Sequence, residues 1–426
     1  MVYNFPIMKI KICPSGAVRL LAVFAIAAAS AAFDWKPKPT AKMKEDLAAY
    51  AKSVGETKFA AEVEKAPDAE TWMRAAIRRG SELLKESEKA DYDDKKRMAG
   101  LRIIEYPLHV DNYGTNTTLQ EKHVFNKVIR EYCVSARDRV FKEVAAAKVP
   151  KGSLRLWRIY NMGYIIKGPK HTVAIDITAR PEFYIIDGNR YMPQTNEVVW
   201  TKSDWKRLTE LADMIFVTHP HGDHYNRAGI EAFIAANKPV VVPCDLMEYV
   251  PGRRPKKGPD GKYIVERDNI TKAACCVKLT TDHDQPVDVG GVKVWNFHGN
   301  QGKDTPCNVY LLDIDGVRVA HNGDNYDRVK EKKLSKCPPA DVIIASTWNN
   351  IQSMVSSCMG AQGFDRKNAV LLPSHENELG HNVKQRESYW EMYVRKDRLN
   401  KKDFPWPRIH PLSYGENITV APPRLR

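Results

Sequence analysis

Apolar residues in the first third of the chain recur at helical spacing. Met43, Leu47, Tyr50 and Val54 are separated by four, three and four positions, which places them on one face of a helix. Trp72, Met73, Ala76, Ile77, Leu83 and Leu84 make a second stripe, with Asp68 placed to cap its start. Val124, Phe125, Val128, Ile129, Tyr132, Ala136, Val140 and Phe141 make a third, preceded by the capping-box sequence Thr118-Leu119-Gln120-Glu121. Residues 41–148 are read as a helical bundle that packs against the rest, covers a site or mediates association. A proline-broken linker over 33–40 comes before it.

The period changes at Pro150-Lys151-Gly152. Residues 154–160, 162–167 and 171–177 are strand-like, with Gly168-Pro169-Lys170 as a turn. An excursion over 181–210 contains Tyr184-Ile185-Ile186 and a helix over 203–211. The apolar run Met214-Ile215-Phe216-Val217 follows, then a helix over 230–236 and a strand over 239–243. Residues 251–271, rich in glycine, proline and charge, form a loop. Further strands are expected at 277–279, 292–297, 309–314, 317–320, 342–345 and 370–372, with helices at 326–335 and 384–394. Strands that dominate at first and then alternate with helices predict two sheets in a sandwich with helices outside.

Composition agrees with a globular chain: 426 residues, 43% hydrophobic and 28% charged, enough for two or three domains. Its start has the pattern of a secretory signal. Lys9, Lys11 and Arg19 supply a basic region, 20–29 an apolar one, and Ala29-Ser30-Ala31 a cleavage site. The expected organisation is a signal peptide over 1–31, a helical region over 32–150 and a sandwich domain over 151–426. Export to a periplasm or outward follows, with no stable membrane span in the mature chain. The net charge of +14 falls by the three basic residues of that signal, to about +11. This balance favours anionic partners, small molecules above all; a solvated basic surface is the plain alternative. Nucleic acid is not excluded, although no basic motif interleaved with aromatics is present.

Seven cysteines follow residue 31, and their spacing matches no zinc ribbon or small disulfide scaffold. Most are expected to be buried free thiols, and one or two disulfides would fit an oxidising compartment.

The densest chemistry lies in Thr218-His219-Pro220-His221-Gly222-Asp223-His224. Three histidines and one aspartate within six residues cannot share a helix face, where ligands recur at three or four positions. On a loop at a strand end they can converge on two neighbouring cations, His219 and His221 on one, Asp223 and His224 on the other. Imidazole and carboxylate suit zinc, and also manganese or iron. Two cations need more ligands than one loop offers. His298, Asp324 and His375 each come at the end of a predicted strand. His283 competes with His298 and His381 with His375, while Asp324 could be a turn aspartate. Glu376, Glu378 and His381 could support the ligands from behind or cap the next helix. His109, His123, His171, His321 and His410 are read as structural or surface residues.

With these motifs in view, residues 154–415 resemble the metallo-β-lactamase superfamily. The HxHxDH loop matches at His219, His221, Asp223 and His224, the later Gly-Asp at Gly323-Asp324, and the last histidine at His375. The resemblance implies an α/β fold, a four-layer αβ/βα sandwich, here preceded by the N-terminal helical region. It also implies a dinuclear site with His219, His221 and His298 on one metal, Asp223, His224 and His375 on the other, and Asp324 bridging. Its nearest general likeness is to the branch of the ascorbate-6-phosphate lactonase and the N-acyl-phosphatidylethanolamine phospholipase. The long helical region and the 181–210 excursion depart from the usual pattern. Redox di-iron relatives carry a glutamate where His221 stands, which points away from that chemistry.

The function expected is hydrolysis of an ester, lactone or phosphodiester bond in an anionic small molecule by a metal-bridging hydroxide. Asp223 would orient it and take its proton. A nuclease or phosphodiesterase on nucleic acid is the alternative, and a non-catalytic binding module is a third reading.

Overall fold

The computed structural model describes residues 40–421 except 91–93, 109–118, 179–183, 187–188, 192–199, 250–255, 258, 260–262, 265, 303–304, 348–350, 360–368 and 376–405. The expected signal peptide, the capping box at Thr118, the helix at 384–394 and residues Glu376, Glu378 and His381 lie outside these. Among the described residues no helix is long and apolar enough to cross a membrane. No two of the seven cysteines after residue 31 are bonded to each other.

The helical region consists of Thr40–Ser53, Thr57–Lys65, Ala69–Glu86, Lys95–Leu108 and Leu119–Ala146. Asp68 caps the third helix as its position predicts, accepting the Thr71 N–H at 2.8 Å. Leu47, Phe59, Val63, Trp72, Met73, Leu83 and Ile103 close a core of their own. The fully buried Arg97 leaves that region to pair with Glu416 at 2.9 Å and to donate to the Pro411 carbonyl. Arg137 of the last helix pairs with Asp204 at 2.6 Å, at the start of the helix Lys202–Leu211.

Two seven-stranded sheets follow. In spatial order the first runs Cys276–Lys278, Val240–Val242, Met214–Phe216, Thr172–Ile175, Gly163–Lys167, Leu154–Tyr160, Asn417–Val420. The second runs His283–Val289, Val292–Gln301, Thr305–Ile314, Val317–His321, Val342–Ser346, Val370–Ser374, Arg408–Ile409. The inner strands of each sheet are buried on both faces, so they read as continuous apolar runs. Val240-Val241-Val242 shows how such a run divides. Val241 enters the core between the sheets, with Tyr164, Phe216, Leu312 and Ile344. Val240 and Val242 face the opposite way, against Ile230 and Phe233 of the helix Arg227–Ala235. Phe297, Leu311, Ile343 and Leu371 line the far face of the second sheet under Ile351, Met354 and Val355. Helix, sheet, sheet and helix thus stack in four layers, the expected αβ/βα sandwich.

Several elements differ from the sequence reading. The strand His283–Val289 was not expected, because its residues are mostly polar and partly exposed. The hairpin of Val292–Gln301 with Thr305–Ile314 is longer than its apolar stretches, pairing without a break from Lys293↔Asp313 to Gln301↔Thr305. Backbone pairing carries it past the last hydrophobic residue.

Candidate metal centre

The strand Met214–Phe216 lies between two parallel neighbours, Thr172–Ile175 and Val240–Val242. Its last sheet bond is from Val217 N–H to Val241 O at 2.9 Å, and the chain leaves the sheet at Thr218. Thr218 is held by Asp176, which accepts its N–H at 2.8 Å and its hydroxyl at 2.7 Å. The opposing sheet grips the same point. Asn308 N–H donates to Thr218 O at 2.9 Å, and the Tyr310 hydroxyl donates to Val217 O at 2.9 Å. The loop that follows therefore starts at a point fixed by both sheets. His224 N–H closes a turn onto His221 O at 3.0 Å, and Thr178 donates to Gly222 O at 2.7 Å.

Two groups of ligand atoms result, each with its atoms within 4.8 Å of one another. His219, His221 and Asp223 make one; Asp223, His224, Asp324 and His375 make the other. The carboxylate common to both is Asp223, whereas Asp324 belongs to the second group alone. All of these residues are buried except His221, which is partly exposed.

Asp324 is delivered by the turn after Val317–His321. Gly323 adopts φ +49, and a Cβ there would lie 2.5 Å from Thr218 Oγ1, so the turn reaches the histidine loop only with glycine. His321, fully buried, donates from Nε2 to Met162 O at 3.0 Å and accepts the Gly323 N–H on Nδ1 at 3.1 Å. It is structural, as read from the sequence, and it sets this turn. Burial holds its pKa low, in keeping with a neutral ring. Ser346 donates to Asp324 Oδ1 at 3.2 Å and Gln301 to Oδ2 at 3.0 Å. His375 follows the strand Val370–Ser374 at φ +65, a left-handed conformation uncommon for a side chain of this kind. Its Nε2 lies 2.9 Å from Asp324 Oδ2 and 3.3 Å from Asp223 Oδ2.

The electrostatics call for positive charge. Burial opposes ionisation of Asp223 and Asp324, yet the neighbouring His224 and His375 hold both carboxyls well below the usual range. Burial alone would depress His375, but Asp324 and Asp223 outweigh it and push it up to about 10; Asp223 and Asp176 likewise hold His224 well above its ordinary value. His219 and His221 go the other way, lowered by burial and then, for His219, by the neighbouring His224. Neutral His219 and His221 beside ionised Asp223 are a ligand set, and at His224 and His375 a bound cation would take the place of the proton.

The unpaired atoms point the same way. Buried polar atoms normally find hydrogen-bond partners. His219 Nε2, His224 Nε2 and Asp223 Oδ1 are buried and make no hydrogen bond. The other ring nitrogen of His224 is accounted for, with Nδ1 at 2.7 Å from Asp176 Oδ2, which leaves Nε2 for a cation. The residues present therefore fit divalent metal.

The structure does not bring His298 into either group. It lies within the strand Val292–Gln301 rather than past its end, paired with Asn308, whose Oδ1 is 2.8 Å from His298 Nδ1. Its competitor His283 stands on the neighbouring strand opposite Asn296. Asp176 and Asn161 touch the ligands without having been assigned a role from the sequence. For Asp176 the signal was present, an acidic residue ending a strand beside the ligand loop. For Asn161, at a turn between two strands, it was not.

Residues 161–359 match the model of the beta-lactamase superfamily domain. The matched stretch carries the histidine loop and Asp324, and members of that superfamily are largely metal-dependent hydrolases. No curated protein matches the chain. Among solved structures it is similar to a possible metal-dependent hydrolase from Veillonella parvula, at 15% identity over 62% of this chain and 99% of the other, with a TM-score of 0.42. Similar too are the isothiocyanate hydrolase from Delia radicum gut bacteria (11%, 62% and 98%, TM-score 0.40) and a diiron β-hydroxylase from Streptomyces venezuelae (11%, 64% and 55%, TM-score 0.39).

Proposed function

We propose that the chain is an exported hydrolase with two divalent cations, zinc, manganese or iron, acting on an ester, lactone or phosphodiester bond of an anionic small molecule. One observation carries the reading: His219 Nε2, His224 Nε2 and Asp223 Oδ1 are buried, make no hydrogen bond and lie in two ligand groups that share Asp223. Cations bound there supply Lewis acidity and bring the pKa of a water toward neutrality. The chain's own part is to hold them and to move the proton. Asp223 Oδ1, with no hydrogen bond of its own, is the proton acceptor, and Asp223 Oδ2 is steadied by Asn161 at 3.1 Å. His219 and His221 enter as neutral donors because burial disfavours their charged forms. The net charge of +14 supports an anionic substrate, and the basic start before the apolar run 20–29 supports export of a chain whose hydrolytic unit is 151–426.

The test is metal analysis of the purified protein together with hydrolysis of ester, lactone, phosphodiester and polynucleotide substrates in zinc and in manganese. About two cations per chain and cleavage lost in His219→Ala are expected. Fewer than one cation per chain removes the dinuclear reading. Cleavage of polynucleotide that falls steeply with salt would transfer the proposal to nucleic acid.

A further inference from the structure

The strands Leu154–Tyr160 and Gly163–Lys167 are joined by a two-residue turn, Asn161-Met162, at the lip of the first sheet. Asn161 is 2% exposed and adopts φ +53, a conformation that asparagine tolerates better than most residues. Its carboxamide Nδ2 donates to Asp223 Oδ2 at 3.1 Å and lies 3.3 Å from Asp223 O. The turn is held from behind: the buried Arg158 donates from Nη2 to Asn161 O at 2.8 Å and from Nη1 to Leu412 O at 2.6 Å. On the other side the backbone is close to Asp176, since a Cβ at Gly163 would lie 2.7 Å from Asp176 O.

We propose that Asn161 is a positioning residue for Asp223, its amide fixing the carboxylate through Oδ2 at the place where the two ligand groups meet. This rests on the reading of the site as a metal centre. The choice of side chain has a physical reason. A lysine or arginine at this place would also donate to Oδ2, but its charge would compete with a cation for the same carboxylate. A neutral amide orients the carboxylate and leaves its charge available. The left-handed turn aims the amide, and Arg158 fixes the turn, so the donor is preorganised before any cation arrives.

The experiment uses the full chain and compares Asn161→Gly with Met162→Ala. Glycine keeps φ +53 without strain and removes the amide. The Met162 change thins the core between the sheets and leaves the amide in place. Zinc dissociation constants are measured by chelator competition, the visible spectrum is recorded with cobalt(II), and urea midpoints are taken on chelator-treated protein. Asn161→Gly is expected to bind zinc about 10–100-fold more weakly and to shift the cobalt bands, with the chelator-treated midpoint nearly unchanged. Met162→Ala is expected to lower the midpoint and leave both metal readouts in place. Should Asn161→Gly not fold, Asn161→Ser, whose hydroxyl is one bond shorter than the amide, carries the same comparison. Unchanged affinity and spectrum in the Asn161 variant overturn the proposal, as does an equal shift of both readouts in Met162→Ala. A parent chain that binds no cation removes the metal reading itself, whereas parental binding with an unaffected variant removes only the role of Asn161.

Discussion

Asp176 Oδ2 and His224 Nδ1 lie 2.7 Å apart, and neither side chain is exposed to solvent. The same carboxylate takes both the N–H and the hydroxyl of Thr218, so one residue fixes the ligand loop at its start and orients the imidazole six residues on. Replacing Asp176 by Asn keeps the shape and removes the charge. Asp176→Asn is expected to weaken zinc binding about 10–100-fold. Chelator competition reads this directly, and an unchanged dissociation constant would show that Asp176 serves the fold alone.

Gly323 meets two demands at once, a left-handed φ and contact with Thr218. Gly323→Ala should destabilise the chain by about 1–3 kcal/mol and displace Asp324 from the cluster. Urea denaturation with and without zinc separates the two effects. Stability that is lost equally under both conditions would mean that the strain does not reach Asp324.

Much of this centre is legible from spacing, and the reasons are local. His219, His221, Asp223 and His224 sit in one loop, and Asp324 and His375 each end a buried strand, where pattern alone locates them. The limit is set by features that cross the sheets. His298 shows this for its strand: hairpin pairing runs on through Gln301, past the last apolar residue, and Nδ1 of the ring lies 2.8 Å from Asn308 Oδ1. Asn161 and Gln301 reach the ligand carboxylates through tertiary geometry, and an asparagine in a turn or a glutamine at a strand end carries no mark of it. The strand His283–Val289 escaped because it lies at a sheet edge and has no apolar alternation to show.

Arg97 is fully buried between the helical region and the turn at 411–416, with Glu416 and the Pro411 carbonyl as partners. Removing Arg97 takes away two charge-assisted hydrogen bonds and the buried guanidinium, while Glu416, partly exposed, keeps the Ser413 N–H. Arg97→Ala is expected to cost about 1.5–3 kcal/mol and to make the helical region cleavable by protease while the sandwich resists. Urea denaturation followed by limited proteolysis checks both. A loss below about 1 kcal/mol would mean that water takes over the role of the guanidinium.

His410 is buried, and burial followed by the nearby Arg97 and Arg408 lowers its pKa to about 3. The unfolded chain binds a proton near pH 6.5, so protons favour unfolding between that value and about 3. The contribution of this residue is full above pH 6.5 and falls as the pH drops. Between pH 6.5 and 5 the loss should be about 2 kcal/mol. His410→Phe, which cannot titrate, should show a shallower decline in urea midpoints over the same range. Equal slopes would place the acid sensitivity elsewhere.

The two ligand groups draw on both sheets: His219, His221, Asp223 and His224 come from the first, Asp324 and His375 from the second. The unfolded chain keeps only His219, His221, Asp223 and His224 near one another, so a cation in the second group, which also needs Asp324 and His375, favours the folded form. Mass action then makes cation concentration a folding variable. The melting temperature would climb with the logarithm of free metal, by about 2.7 kcal/mol of added stability at one hundred times the dissociation constant. A chain made where the cation is scarce would be less stable before it was less active, and metal supply would govern how much protein survives as well as how fast it turns over.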